Sequence, residues 1–479
     1  MPPPVGGSSL LGCVRPTRST EVNTWKTLVA IYDQAFYNPL SLAFSSQQTL
    51  HSSQGSHCCS QAMRALFSIS TLAGIAAATI LQNGQIRPSD YPSTAINAIL
   101  PSDHDWRTYP PNASELSYKG RWDDQHISWW SAPGLKFGFH ASDVAVSFGP
   151  HTTEGVLIAY RLDGQDWTLT NVTANSTQHL IEPTTQGYNS TSASATRTLE
   201  FRVTNWAYGV QLSAVHVRGG NCSLVKIPDY TRTMEFIGDS LSAGQYATLE
   251  GISSNPWGLM YGLGNVEFSI TAYPGICLHD SRCYDNMRGQ TYQWLRTSDT
   301  GGRALDLYGD DPPLWDFSSR PAADITLINL GTNDNNPANN ITAAQFKQSY
   351  IELISEIQQK WPETDVIVLS LWAGFSASAS TFVQGNAFLT EIQDVVKYFN
   401  NGTLNERGEC ARCKVYYFDT TGILQHNDIA PQYHPTDVGH LKVASHLMQY
   451  IKLVFGWDFQ QTGPEVQHET LYWNDQSSY

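Results

Sequence analysis

The chain has 479 residues, a formal net charge of −15, and 41% hydrophobic and 11% aromatic residues. That length allows two or three domains with sizeable cores. The acidic balance, with no basic tract to override it, argues against nucleic acid or an anionic membrane surface as a partner, whereas a neutral polysaccharide is compatible.

Residues 1–62 are rich in Ser, Pro, Gln and Gly and carry little periodicity. They read as a disordered leader or a gene-model extension. Met63 and Arg64 then open an uncharged apolar stretch, Ala65 to Leu81, in which small residues gather at Ala76, Ala77 and Ala78. This is the layout of a secretory signal peptide over 63–85, with the mature chain starting between Thr79 and Ser89. The rival reading is an uncleaved signal anchor, since the stretch is just long enough to span a bilayer, and only then is a membrane a partner. Sequons at Asn112, Asn171, Asn175, Asn189, Asn221, Asn340 and Asn401 fit a secreted, extracellular glycoprotein.

Beyond the leader, with its Cys13, Cys58 and Cys59, the cysteines are Cys222, Cys277, Cys283, Cys410 and Cys413. Cys277 and Cys283 flank a short loop, as do Cys410 and Cys413, so two local disulfides with Cys222 left over is the simplest pairing. Cys410 and Cys413 lack a second pair at zinc-site spacing, and no metal is expected.

Residues 115–228 alternate with period 2. Leu135, Phe137 and Phe139 do so, as do Val144, Val146 and Phe148, and Leu199, Phe201 and Val203, with Asp163-Gly164 as a turn signal. An all-β sandwich is predicted. Trp122, Trp129 and Trp130 are candidates for stacking on sugar rings, although tryptophans in a sandwich more often belong to the core.

From 229 to 479 strands alternate with helices, the pattern of a three-layer α/β/α domain. A short apolar run, Met234 to Ile237, ends in Gly238-Asp239-Ser240-Leu241. A small-residue turn between strand and helix exposes its serine at the C-terminal edge of a sheet, where open α/β folds bind ligands. A serine nucleophile needs a base within hydrogen-bond reach, and an ester carbonyl under attack needs donors where negative charge develops. A buried strand from Ala323 to Leu330 delivers Gly331-Thr332-Asn333-Asp334 at the same kind of strand end. A helix from Ala343 to Trp361, with Phe346, Tyr350, Leu353 and Ile357 on one face, and strands at Asp365–Leu371 and Val415–Phe418 follow. His434-Pro435 then precedes a last helix that starts near Thr436 and closes near Phe455. The segment Leu278–Ser319 has few periodic features. Its Tyr284, Tyr292, Trp294 and Trp315 either wall a pocket or pack the loop. Each short motif alone is weak; the three in this order are specific.

On these motifs the chain resembles the SGNH hydrolases of GDSL esterase type, and in particular the two-domain carbohydrate esterases of family 2, from about residue 115 onward. The resemblance implies a jelly-roll-like sandwich before the hydrolase domain. It also implies Ser240 as nucleophile and His434 as general base, with an oxyanion hole formed by the backbone N–H groups of Ser240 and Gly275 and the side chain of Asn333. No cofactor is implied. Members usually carry an aspartate three residues before the histidine to orient it; here that position is Pro431, and neither Gln432 nor Tyr433 replaces it. A Ser-His dyad, with the imidazole oriented by a backbone carbonyl, is the resulting expectation, and Asp428 is an outside candidate for the acid. Asp437 and His440 have Asp-x-x-His spacing but fall inside the last helical pattern, so His440 is expected to be structural.

The combined expectation is a secreted carbohydrate O-acetyl esterase, acetylxylan esterase among the options, acting on acetylated polysaccharide or oligosaccharide. The alternatives are a GDSL lipase or phospholipase, a secretory-pathway O-acetyltransferase, and a non-catalytic carbohydrate-binding protein.

Overall fold

The computed structural model describes residues 105–188, 195–401, 414–429 and 433–460, with isolated pieces at Leu81–Gln82, Gln85–Ile86 and Ile96. The leader, the apolar stretch from Ala65 to Ile80, Asn189, Cys410, Cys413, Pro431 and Gln432 lie outside the described residues.

The N-terminal part contains strands β1 (Trp106–Tyr109), β2 (Ser117–Trp122), β3 (Ser128–His140), β4 (Asp143–Phe148), β5 (Val156–Leu162), β6 (Thr168–Val172), β7 (Thr177–Ile181), β8 (Arg197–Val203), β9 (Leu212–Arg218) and β10 (Ser223–Val225). One sheet runs β1-β9-β4-β7, and the facing one runs β3-β8-β5-β6 with β2 and β10 also on β3. The alternating side chains interdigitate between them: Leu135, Phe137, Phe139, Val144, Val146, Phe148, Leu199, Phe201 and Val203 form one core. The sandwich starts earlier than 115, because Tyr109 pairs with Val215 and Trp106 with Arg218. A four-residue strand with a single buried position carries too little alternation to be read. Trp122, Trp129 and Trp130 are buried, so they pack the interior and present no face to a sugar.

The C-terminal part is a parallel sheet between two helical layers. Its elements are β11 (Arg232–Gly238), α1 (Ser240–Ala243), α2 (Asn255–Leu263), β12 (Val266–Ala272), α3 (Gln290–Gln293), α4 (Gly302–Tyr308), β13 (Ile325–Asn329), α5 (Ala343–Lys360), β14 (Asp365–Leu369), β15 (Leu371–Ser378), β16 (Thr381–Ala387), α6 (Leu389–Asn400), β17 (Val415–Phe418) and α7 (Asp437–Phe455). The strand order is β17-β14-β13-β11-β12. The helix α5 starts from a Thr342/Gln345 capping box and lays Phe346, Tyr350, Leu353 and Ile357 against one face of the sheet. On the other face α2 and α7 bury Leu259, Val443, Leu447 and Ile451. Each such side chain stabilises the layer by about 1.5–3 kcal/mol.

The two parts share a sheet. The long strand β3 pairs with β8 along its second half, and its Ser131 pairs with Ile270 of β12. At this junction Trp130 and Ala132 take positive φ (67° and 51°) on either side of it, next to Pro133, so the strand bends where it leaves the sandwich. The strand expected at 365–371 ends at Leu369. Its continuation turns into the antiparallel hairpin β15-β16, which the sequence pattern did not reveal because Gly374 and a run of small residues, Ser376 to Ser380, mask the alternation.

Candidate active site

Register places the site. Gly238 lies opposite Ala272 of β12 and Asn329 of β13 in parallel pairing. Adjacent strands are about 4.8 Å apart. The residues that follow these three partners, Ser240, Gly275 and Asn333, therefore leave the sheet at the same edge within neighbouring loops.

Each motif residue has a local reason. A Cβ on Gly238 would run into Ser242 Oγ, so the turn closes only with glycine. Asp239 caps α1, accepting the Leu241 N–H at 3.0 Å, and Gly244 ends the helix in the left-handed conformation at φ 74°. Ser240 is thereby held at the first position of a helix, only 5% exposed. Gly331, at φ 128°, passes between Phe346 and Leu371, where a Cβ would not fit. Asn333 donates through Nδ2 to the Ile276 carbonyl at 2.8 Å, and its own carbonyl accepts from Asn339 Nδ2 at 2.8 Å. Asp334 accepts the N–H groups of Leu278 (2.8 Å) and His279 (3.0 Å). The Asn-Asp pair thus ties the loop after β13 to the loop after β12, and that loop is closed further by a Cys277–Cys283 disulfide. Cys222 is free.

Gly275 adopts φ 79°, and Tyr284, half exposed, packs its ring over it while its hydroxyl accepts from Asn336 Nδ2 at 2.8 Å. Within Leu278–Ser319 the roles divide: Tyr284 stands at the site, whereas Trp294 is fully buried against Phe317 and Trp361.

His434 arrives on the connection between the edge strand β17 and α7. Its ring packs edge-on against Tyr246, 5.0 Å between centroids, in the loop that follows α1. An Ile429–Pro435 bridge and the Thr436 N–H to Asp428 carbonyl bond (2.8 Å) anchor the chain on either side of it. Asp437 accepts the Thr248 N–H at 2.8 Å, fastening the start of α7 to the loop that follows Ser240. Asp428 takes Lys442 Nζ at 2.7 and 2.9 Å and the Gln425 N–H at 2.8 Å. Asp428, the outside candidate for the acid, and Asp437 are thus both engaged in local anchoring. His440 is buried and its Nδ1 accepts the Asn255 N–H at 3.1 Å; burial lowers its pKa to about 4 and the neighbouring His434 adds to this, with Asp437 opposing. Its place is structural.

Behind the strand ends sit two buried carboxyls. Burial pushes Asp239 up to about 7 against the Leu241 N–H, and the charge of Asp334 raises it further; Asp334 is raised by burial too. Sequence reasoning did not single out Tyr246 or the Asp437–Thr248 contact, since both depend on the last helix docking beside the first turn.

The fold is a parallel α/β sheet with a serine at a strand-to-helix turn. Residues 234–447 match the family model of the GDSL-like lipase/acylhydrolases, which supports a serine esterase acting on carboxylic esters. In fold the chain resembles two-domain carbohydrate esterases of family 2. One from Clostridium thermocellum, solved with cellohexaose, is 20% identical, with a TM-score of 0.54 over 71% of this chain and 99% of that one. Another, from Corynascus thermopiles (Myceliophthora fergusii), is 18% identical with a TM-score of 0.55 over 71% and 100%. An acetyl xylan esterase from the rumen bacterium Butyrivibrio proteoclasticus is 14% identical with a TM-score of 0.54 over 73% and 100%. A comparison with curated protein sequences gave no match.

Proposed function

We propose that the chain is an extracellular carbohydrate O-acetyl esterase working through a Ser240–His434 dyad. The observation that carries this reading is the parallel register that gathers Ser240, Gly275 and Asn333 at one sheet edge. His434 takes the Ser240 proton as Oγ attacks the acetyl carbonyl. The oxyanion is held by the N–H groups of Ser240 and Gly275 and by Asn333, whose amide has a second N–H beyond the one spent on Ile276. Collapse expels the sugar oxygen, which takes the proton from His434, and leaves an acetyl-enzyme. Water, deprotonated by His434, then releases acetate. With Asp428 and Asp437 engaged elsewhere, a backbone carbonyl orients the imidazole.

The relatives of like fold support the substrate class, since their names include carbohydrate esterase and acetyl xylan esterase and one was solved with cellohexaose. Export is supported by sequon asparagines 112, 175, 221, 340 and 401, all exposed, whereas Asn171 spends its amide on the Gly155 carbonyl at 2.6 Å and should stay unmodified. Among the described residues no helix is long and apolar enough to cross a membrane.

Rates on nitrophenyl acetate, butyrate and octanoate beside acetylated xylan and glucomannan test the proposal. Acetyl esters, polymeric ones included, should be hydrolysed fastest. Preference for octanoate would replace this reading with a lipase, and no turnover on any of them would leave a binding protein.

A further inference from the structure

The chain leaves β12 through Tyr273-Pro274-Gly275-Ile276, and the Ile276 N–H returns to the Tyr273 carbonyl at 3.4 Å. Proline at the second position and φ 79° at the third make this a type II turn. Types I and II differ by about 150° in ψ of the second residue and about 170° in φ of the third, which turns the peptide between them over. That peptide joins the Pro274 carbonyl to the Gly275 N–H, the donor proposed for the oxyanion. The sense of the turn therefore decides whether this N–H faces the reacting carbonyl or points away from it. At 3.4 Å the turn's own hydrogen bond lies beyond the usual range and holds that choice weakly.

A buried amide holds it instead. Asn286 is fully buried and donates through Nδ2 to the Pro274 carbonyl at 3.0 Å. A peptide unit is planar and trans, so its C=O and N–H point in opposite directions, and fixing the one fixes the other. The Gly275 N–H itself has no acceptor among the described residues, which leaves it free for a ligand. The backbone of Asn286 exchanges two N–H···O bonds with Cys283, each 3.1 Å, and Cys283 is tied by its disulfide to Cys277, two residues beyond Gly275. The side-chain amide cannot be turned round without setting Oδ1 against the Pro274 oxygen, acceptor against acceptor. In the orientation it has, Oδ1 is buried and unpartnered among the described residues. Leaving an acceptor dry costs stability, so this asparagine is placed for its one donated bond and not for packing.

We propose that Asn286 is a positioning residue for acyl transfer. It locks the Pro274-Gly275 peptide with the Gly275 N–H towards the developing oxyanion, and by donating to the carbonyl of that peptide it polarises the N–H into a stronger donor. It touches no substrate. This role rests on the Ser240 esterase reading above and is independent of which acyl group or sugar is processed.

The test is steady-state hydrolysis of nitrophenyl acetate by the whole chain from about pH 5 to about pH 8.5, in wild type, Asn286→Ala, Asn286→Asp and Ser240→Ala, with the folded fraction read from near-UV circular dichroism at every pH. Asn286→Ala should lower kcat about tenfold to a hundredfold with KM within about threefold, because the Gly275 donor acts only once negative charge develops. Asn286→Asp keeps the shape, but its carboxylate has no proton to donate. Its deficit against wild type should match that of the alanine variant at the alkaline end and shrink at least about fivefold at the acid end, where a protonated carboxyl again donates to Pro274. A merely structural loss would follow the folded fraction instead. The isosteric variant also keeps the proposal testable if Asn286→Ala does not fold. A kcat within about twofold of wild type in either variant, a rise in KM at constant kcat, or an Asn286→Asp deficit that is the same at every pH would overturn the positioning role. An active Ser240→Ala would overturn the serine mechanism beneath it, a result that neither Asn286 variant can produce.

Discussion

The two halves of the proposed catalytic arrangement are held in different ways. Ser240, Gly275 and Asn333 follow central strands of a parallel ladder, and their loops are cross-tied by Asn333 to Ile276 and by Asp334 to Leu278 and His279. His434 follows the edge strand β17 by a long connection, and its place depends on α7 docking through Asp437 to Thr248, on the Ile429–Pro435 bridge and on the Tyr246 ring. One half is positioned by backbone register and the other by tertiary contacts. The first should therefore respond to mutation mainly through chemistry, and the second through geometry as well.

The largest effects should come from removing the reacting atoms. Ser240→Ala and His434→Ala should each lower kcat by at least about a thousandfold, and Asn333→Ala by about 10² to 10³ as one oxyanion donor is lost. All three should keep wild-type circular dichroism. A Ser240→Ala enzyme retaining more than about a hundredth of wild-type kcat would remove serine from the mechanism.

The next prediction separates anchoring from catalysis on the histidine side. Asp428→Asn and Asp437→Asn should each leave kcat within about tenfold of wild type, while a true orienting aspartate is worth about 10⁴. Both should lower the thermal midpoint, since each carboxylate holds a local contact. A collapse of kcat in Asp428→Asn with an unchanged midpoint would restore a triad.

The smallest effect concerns pH and His440. Its folded pKa, about 4, lies below the ordinary value of 6.5, so between those values the unfolded chain binds the extra proton and stability falls as pH drops. Below about 4 this contribution is fully lost. Denaturant midpoints measured from pH 7 to pH 4 should decline in wild type and decline less steeply in His440→Gln, with kcat at pH 7 little changed. Equal slopes in the two proteins would show that other groups dominate the acid limb.

Much of the fold could be read directly from residue order. The serine, asparagine and histidine motifs, the alternation of Leu135 to Phe139 and of Leu199 to Val203, the 3.6-residue stripe of α5 and the short spacing of Cys277 and Cys283 are local patterns, and local patterns survive in one dimension. What they could not carry was anything set by which surface meets which. The bend of β3 from sandwich into α/β sheet, the hairpin β15-β16, the packing of Tyr246 on His434 and the commitment of Asp428 to Lys442 all join residues far apart in sequence or break the period that would announce them. Sequence therefore determined which groups of this chain are chemically equipped for acyl transfer, because side-chain identity and strand-end turns are encoded locally. Only the tertiary structure decided how those groups share one edge of a sheet, because register and helix docking are fixed by long-range burial.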